Sequence, residues 1–235
     1  QMEEMGVQNG FIRIEEGVSR INLKLKSIDG MEINGQGPVI SPEHVEELMK
    51  QLDRLGEGDV LFLSGSIPAS MPDDAYQKIM ERLDGRGVQI VVDATRDLLM
   101  KVLEYHPFLI KPNNHELGEI FDVELRTREE VIPYAKKLQE KGAVNVLVSM
   151  AGEGAVLIDA NGDVHMAPAP KGTLVNGVGA GDSMVAGFMA GWLEKQDYEH
   201  AFCMGVSAGS ASAFSEHLAT KAEIETVYQR VTGNK

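Results

Sequence analysis

The run Val175-Asn176-Gly177-Val178-Gly179-Ala180-Gly181-Asp182-Ser183 holds the residues best suited to chemistry. Glycines at 177, 179 and 181 leave the backbone free to take φ > 0 and to expose consecutive N–H groups, and the small and apolar residues that follow read as a helix over 182–193. A helix N-terminus supplies unpaired donors and the positive end of a dipole, so a phosphate at Gly179, Ala180 and Gly181 needs no lysine to be held. Asp182 then stands at the mouth of an anion site. A carboxylate there repels phosphate unless it accepts the proton of a hydroxyl that attacks phosphorus. The competing reading is a helix N-cap, for which aspartate is a preferred residue. The run is neither G-x-x-x-x-G-K-[ST] nor G-x-G-x-x-G, so the mechanics of those loops do not carry over.

The elements that must position this run follow from periodicity. Short strands are predicted over 11–15, 20–26 and 31–34, broken by Glu16-Gly17 and Asp29-Gly30. In the middle one Arg20, Asn22, Lys24 and Lys26 share a face, because strand side chains alternate. That row suits a sugar phosphate, with a solvated strand face as the alternative. From Ser41, an N-cap followed by Pro42, the pattern becomes helix 42–55, strand 60–63, helix 73–83, strand 88–92, helix 96–103, strand 108–110, helix 128–141 and strand 144–148. Strands alternating with helices predict an α/β fold, a mostly parallel sheet with helices on both faces. A hairpin over 155–158 and 164–166 and helices over 182–193, 198–214 and 221–231 complete the chain.

Ligands in such sheets gather at the carboxyl ends of the strands. Those ends carry Ser64-Gly65-Ser66-Ile67-Pro68, then Asp93, then Lys111-Pro112-Asn113-Asn114-His115-Glu116, then Ser149 with Gly152 and Gly154. Asn113 and Glu116, one turn apart at a helix start, offer the hard oxygen donors that magnesium takes near a nucleotide, or else simply cap that helix. Gly205-Val206-Ser207-Ala208-Gly209 matches G-x-S-x-G, but 198–214 reads as continuous helix and no acid-then-histidine order follows, so a serine hydrolase is rejected. His106 and His165 read as surface or loop residues.

Composition sets the outer limits. Lys and Arg number 22 against 36 Asp and Glu, a net charge of −14, which argues against nucleic acid and anionic membranes as partners. The single Cys203 excludes an internal disulfide and fits a reducing cytoplasm. No apolar run is long enough to span a bilayer. With 43% hydrophobic residues in 235, the chain can bury a full core.

Gly179-Ala180-Gly181-Asp182, Asn113-x-x-Glu116 after Lys111-Pro112, Ser64-Gly65-Ser66-Ile67-Pro68 and Ser149 through Gly154 together resemble the motifs of the ribokinase-like carbohydrate kinases, the phosphofructokinase B group. The resemblance implies a ribokinase-like fold with a small β lid, residues 1–37, on an α/β core that binds nucleotide and sugar phosphate, residues 38–235. It implies Asp182 as catalytic base and the Gly179, Ala180 and Gly181 amides as the anion hole. ATP is expected at Lys111, Asn113, Ser149, Gly152, Gly154 and Gly181, Mg²⁺ at Asn113 and Glu116, and the phosphosugar at Arg20, Lys24, Ser64, Gly65, Ser66 and Asp182. Two positions depart from the family pattern: Asn176-Gly177 ahead of the signature, and Ala151 where the nucleotide-side loop has its first glycine. Arg20 through Lys24 and Glu32 through Pro38 look most like the branch that converts fructose 1-phosphate to fructose 1,6-bisphosphate. Kinases of tagatose 6-phosphate and fructose 6-phosphate share nearly the same motifs, and a binding protein without turnover is the alternative of another class. A homodimer through the lid sheet is expected.

The resemblance also implies an upstream segment with the first core strand, a sugar-binding aspartate and a glycine-rich sugar loop. Gln1 through Met5 reads as the end of a helix under way. The expectation is therefore an incomplete record of a longer polypeptide, unstable and inactive as a separate chain.

Overall fold

The computed structural model describes residues 2, 4–24, 32–94 and 96–233, with only the backbone of Lys24, Glu32 and Arg96. Two compact units emerge, one of residues 1–59 and 66–88, the other of 60–65 and 89–235.

In the first unit, strands β1 (Asn22–Lys24) and β2 (Glu32–Asn34) pair antiparallel, with Leu23 opposite Ile33. The expected outer parts of these strands, 25–31, fall outside the described residues. The expected strand over 11–15 does not form: that segment has no ladder. Its apolar Phe11 is 74% exposed, so nothing repays ordering it as an edge. At residues 2–7 the Met2 carbonyl accepts from the Val7 amide at 2.9 Å, and Gly6 takes φ 72° in that turn. Helix α1 (Pro42–Leu52) opens as the sequence predicts, with the Ser41 hydroxyl accepting from the His44 amide, and ends three residues earlier than expected. It meets α2 (Ala75–Leu83) through a two-pronged pair in which Arg82 Nε and Nη2 lie 2.7 and 2.6 Å from the Asp53 carboxylate. The Arg82 hydrogen bond holds Asp53 below the usual carboxylate range.

The second unit carries a six-stranded sheet in chain order: β3 (Val60–Ser64), β4 (Gln89–Asp93), β5 (Leu109–Ile110), β6 (Asn145–Ser149), β7 (Ala155–Ile158) and β8 (Val164–Ala167). The first four are parallel, and β6–β7 and β7–β8 are antiparallel. Both faces of the sheet centre are covered, because the adjacent residues Val146, Leu147 and Val148 of β6 are all fully buried. Leu147 and Leu157 join Phe188 of α6 (Ala180–Lys195) and Phe202 of α7 (Tyr198–Ala213) in one cluster. Alternate residues point to the other face, where α5 (Arg128–Glu140) meets β6 and β7. The remaining helices are α3 (Arg96–Val102), α4 (Asn114–Phe121) and α8 (Lys221–Gly233).

Small residues set the approach of α6 to α7. A Cβ on Gly187 would lie 2.5 Å from the Ala208 Cβ, one on Gly205 would lie 2.9 Å from the Met184 carbonyl oxygen, and one on Gly209 would lie 3.0 Å from the Ala180 carbonyl oxygen. The density of Gly, Ala and Ser in α7 therefore serves close helix packing. Ser207 of the G-x-S-x-G match is buried inside α7 and donates to the Cys203 carbonyl at 2.6 Å, which leaves no nucleophile. His165, expected in a loop or on the surface, lies instead in β8, its ring nitrogens 2.9 Å from Asp159 and 2.7 Å from Glu199. Among the described residues no helix is long and apolar enough to cross a membrane.

Candidate active site

Parallel pairing places the ends of β3 to β6 side by side. Ser64 pairs in register with Asp93, Val92 with Ile110, and Ile110 with Val146. One residue beyond β5, Lys111 donates its amide to the Val92 carbonyl, and an isolated bridge then joins Asn113 to Ser149. Ser64, Gly65, Asp93, Lys111, Asn113 and Ser149 thus share the carboxyl end of the sheet. The Gly65 amide donates to the Asp93 carbonyl at 2.9 Å. Gly65 takes φ 83° there, a left-handed turn that glycine permits.

Helix α6 opens at Ala180, two residues before the predicted start, with Gly179 at the N-cap in a left-handed conformation. Of the three alternate glycines only Gly179 uses positive φ. Asp182 is consequently the third helical residue and not the cap. No side chain caps this turn. The Asp182 carboxylate is exposed and enters no hydrogen bond or ion pair among the described residues. The Ala180 amide is directed to the Gly177 carbonyl at 3.3 Å, a contact long enough to be exchanged for an anion. The approach to this turn is pinned onto the end of α7: the Val175 and Asn176 amides both donate to the Ala213 carbonyl, and Asn176 Nδ2 donates to the Glu216 carbonyl.

Gly181 lies beside Lys111. A Cβ there would lie 3.4 Å from Lys111 Nζ and 3.6 Å from its Cε, so the lysine lies across the first turn of α6. Lys111 is buried, and its ammonium is 3.2 Å from Asp93 Oδ1. Burial pushes the Asp93 carboxyl above its ordinary value against the pull of Lys111, and the charges of Asp182 and Glu116 push it the same way. Sequence reasoning placed Asp93 at a strand end without giving it work.

Asn113 and Glu116 form a reciprocal capping box at α4, the Asn113 side chain accepting from the Glu116 amide and Glu116 Oε2 accepting from the Asn113 amide, both at 2.8 Å. The capping alternative is therefore realised, and it leaves Glu116 Oε1 for other work. Among the described residues no three His, Cys, Asp or Glu side chains form a metal cage. A single carboxylate oxygen suits magnesium, which keeps most of its waters and takes the rest of its ligands from phosphates.

In the loop expected on the nucleotide side, Ala151, which stands where the family pattern is expected to have glycine, takes φ 45°. That left-handed conformation is the physical reason for a glycine there. Gly152 faces open space, whereas Gly154 is hemmed in by the backbone of 167–169. In the first unit, Arg20 Nη1 hydrogen-bonds the Ser66 hydroxyl, and Arg20 Nε donates to Asn22 Oδ1 at 3.0 Å. Two expected substrate residues, Arg20 and Ser66, thus meet. The Lys24 side chain lies outside the described residues.

An uncapped helix start with a lysine across it and an exposed carboxylate in its first turn, at the carboxyl end of a parallel sheet, is an arrangement suited to phosphoryl transfer in an α/β protein. The signature of the pfkB family carbohydrate kinases matches residues 1–225, and the chain belongs to that family. It is 47% identical over 230 residues to the 1-phosphofructokinase of Bacillus subtilis, covering 98% of this chain and 75% of that protein. It is 33% identical to the D-tagatose-1-phosphate kinase of Bacillus licheniformis, over 94% of this chain and 72% of that one. A crystal structure from Staphylococcus aureus, described as a phosphofructokinase, superposes with a TM-score of 0.87 at 39% identity, over 97% of this chain and 74% of that one. Arabidopsis thaliana ribokinase, at 18% identity and a TM-score of 0.65 over 86% of this chain and 66% of that one, shares the fold.

Proposed function

We propose that the protein is an ATP-dependent kinase that converts fructose 1-phosphate to fructose 1,6-bisphosphate. The observation that carries phosphoryl transfer is the Lys111 ammonium across the uncapped first turn of α6, with the exposed Asp182 carboxylate in that turn. Asp182 accepts the proton of the attacking hydroxyl, and the Gly179, Ala180 and Gly181 amides, with Lys111, receive the charge that develops on the γ-phosphoryl oxygens. Ser149, Gly152, Gly154 and Asn113 take the nucleotide. Mg²⁺, bound with the nucleotide near Glu116 and Asn113, would neutralise polyphosphate charge. Arg20, Lys24, Ser64, Gly65 and Ser66 take the substrate and its existing phosphate, for which a guanidinium is well shaped. Residues 1–37 are read as the lid on the 38–235 core, and a reduced Cys203 fits a cytoplasmic enzyme.

The choice of a 1-phosphate rests on the Bacillus subtilis relative, and D-tagatose 1-phosphate is the second reading, favoured by the relative at 33% identity. A panel of fructose 1-phosphate, D-tagatose 1-phosphate, fructose 6-phosphate and tagatose 6-phosphate tests it: kcat/KM is expected to be highest for fructose 1-phosphate. Preference for either 6-phosphate would overturn the assignment, and binding of ATP with no turnover on any of the four would make this a binding protein. In the same assay Arg20→Ala is expected to raise KM for the sugar phosphate by roughly 10-fold or more, as for loss of a charged phosphate contact, with KM for ATP little changed. Equal effects on both substrates would remove Arg20 from the phosphate subsite.

The small sheet also suits a second copy of the chain. Ile21, Leu23 and Ile33 are 67%, 51% and 58% exposed, an apolar face that monomeric proteins seldom leave open. Leu23→Asp is expected to shift sedimentation from dimer to monomer, and an unchanged sedimentation coefficient would sink the lid dimer.

A further inference from the structure

We infer that Asp93 is a positioning residue that holds the Lys111 ammonium over the first turn of α6, where it meets the terminal phosphate of the nucleotide. This rests on the phosphotransferase reading of the site. An ammonium at a helix N-terminus faces the positive end of the dipole, and burying a charge removes its hydration, so the placement of Lys111 is doubly unfavourable by itself. Asp93 Oδ1 at 3.2 Å offsets both. Asp93 is itself fixed, through its carbonyl bond from Gly65 and its register with Ser64. On the other side, Lys111 Nζ and Cε would be 3.4 and 3.6 Å from a Cβ at position 181, ordinary contact distances that place the ammonium against the first turn of α6. The lysine is therefore located by the carboxylate behind it, against the first turn of α6. An arriving phosphate resolves the repulsion between the ammonium and the helix end, because it is attracted to both.

Two other roles for Asp93 predict different results. If the carboxylate were only one more negative charge beside Asp182 and Glu116, removing it would tighten binding of an anionic nucleotide. As a ligand of the magnesium ion, its loss would weaken binding only when the metal is present. Calorimetric titration with ADP and with a non-hydrolysable ATP analogue, each with magnesium and with a chelator, separates the three. For Asp93→Asn the tether predicts a loss of affinity on the order of 10-fold for the triphosphate analogue, a smaller loss for ADP, and persistence of the difference without metal, in line with the sensitivity of such sites to misplacement by an ångström. Lys111→Met is expected to reproduce that pattern, and the double variant to be no weaker than Lys111→Met. Asp93→Glu, which keeps the charge and moves it by one methylene, is expected to show a smaller loss of the same sign, and it carries the test if the asparagine variant does not fold. Tighter analogue binding, a loss confined to the magnesium arm, or losses that multiply in the double variant would overturn the tether. Because the readout is binding, absence of turnover on every sugar phosphate would remove the proposed kinase activity and still leave the tether decided.

Discussion

Replacing Asp182 with asparagine is expected to lower kcat by at least ~10²-fold, the scale of a lost general base, while KM for ATP changes little. The asparagine keeps the shape of the side chain and removes only its charge. The structure also removes the ordinary reason for an acid here: Gly179 is the N-cap, and Asp182 enters no hydrogen bond or ion pair among the described residues. What stability the change costs is the dipole interaction of one exposed carboxylate, about 0.3–1 kcal/mol. A collapse in rate without a collapse in the melt therefore isolates the chemistry. Comparable rates for the two proteins would reduce Asp182 to a first-turn acid that merely favours the helix.

Most of the core was legible because its signals are local. The alternation of apolar strands with helices gave β3 to β6 in order, the turn at Asn161-Gly162 gave the antiparallel β7–β8 pair, and Ser41-Pro42 opened α1 where the structure has it. Signals that depend on distant partners were weaker. The segment 11–15 alternates like a strand, yet the structure gives it no ladder, and pairing is what makes a strand. The start of α6 was placed two residues late because Gly-Ala-Gly lowers helix propensity, while contact with α7 at Gly209 overrides it. Three glycines that look alike in sequence differ in the structure: Gly179 takes a left-handed backbone, Gly181 lies at ordinary contact distance from Lys111, and an added Cβ at Gly177 would meet nothing within 4 Å. Asp93 was invisible as a partner of Lys111 since eighteen residues separate them and only the sheet register brings them level. The capping box of Asn113 and Glu116 shows the converse: the spacing was readable, and it serves helix geometry whatever else it does.

Gly154→Ala is expected to cost about 3 kcal/mol or more of stability, combining backbone strain with overpacking. Gly154 has φ 97° and ψ −131°, a region that side chains avoid. An added Cβ would lie 2.0 Å from the Ala167 carbonyl oxygen and 2.7 Å from Ala169 N. Neither obstacle is a flexible side chain. Ala155, the next residue, is paired in register with Ala167, so relief would require opening the end of the β7–β8 ladder beside the core cluster that Ala155 and Ala167 join. For a domain of this size the loss corresponds to a fall in Tm of roughly 6–12 °C. Gly152 provides the control: an added Cβ there meets nothing within 4 Å and its φ is not positive, so Gly152→Ala is expected to stay within ~0.5 kcal/mol of the parent. If the loop contacts nucleotide, Gly152→Ala raises KM for ATP with an unchanged melt, while Gly154→Ala lowers the melt whether or not nucleotide is present. A Gly154→Ala protein with the parent's Tm would mean that the loop can move away from residues 167–169 at little cost, and the structural reason for this glycine would be lost.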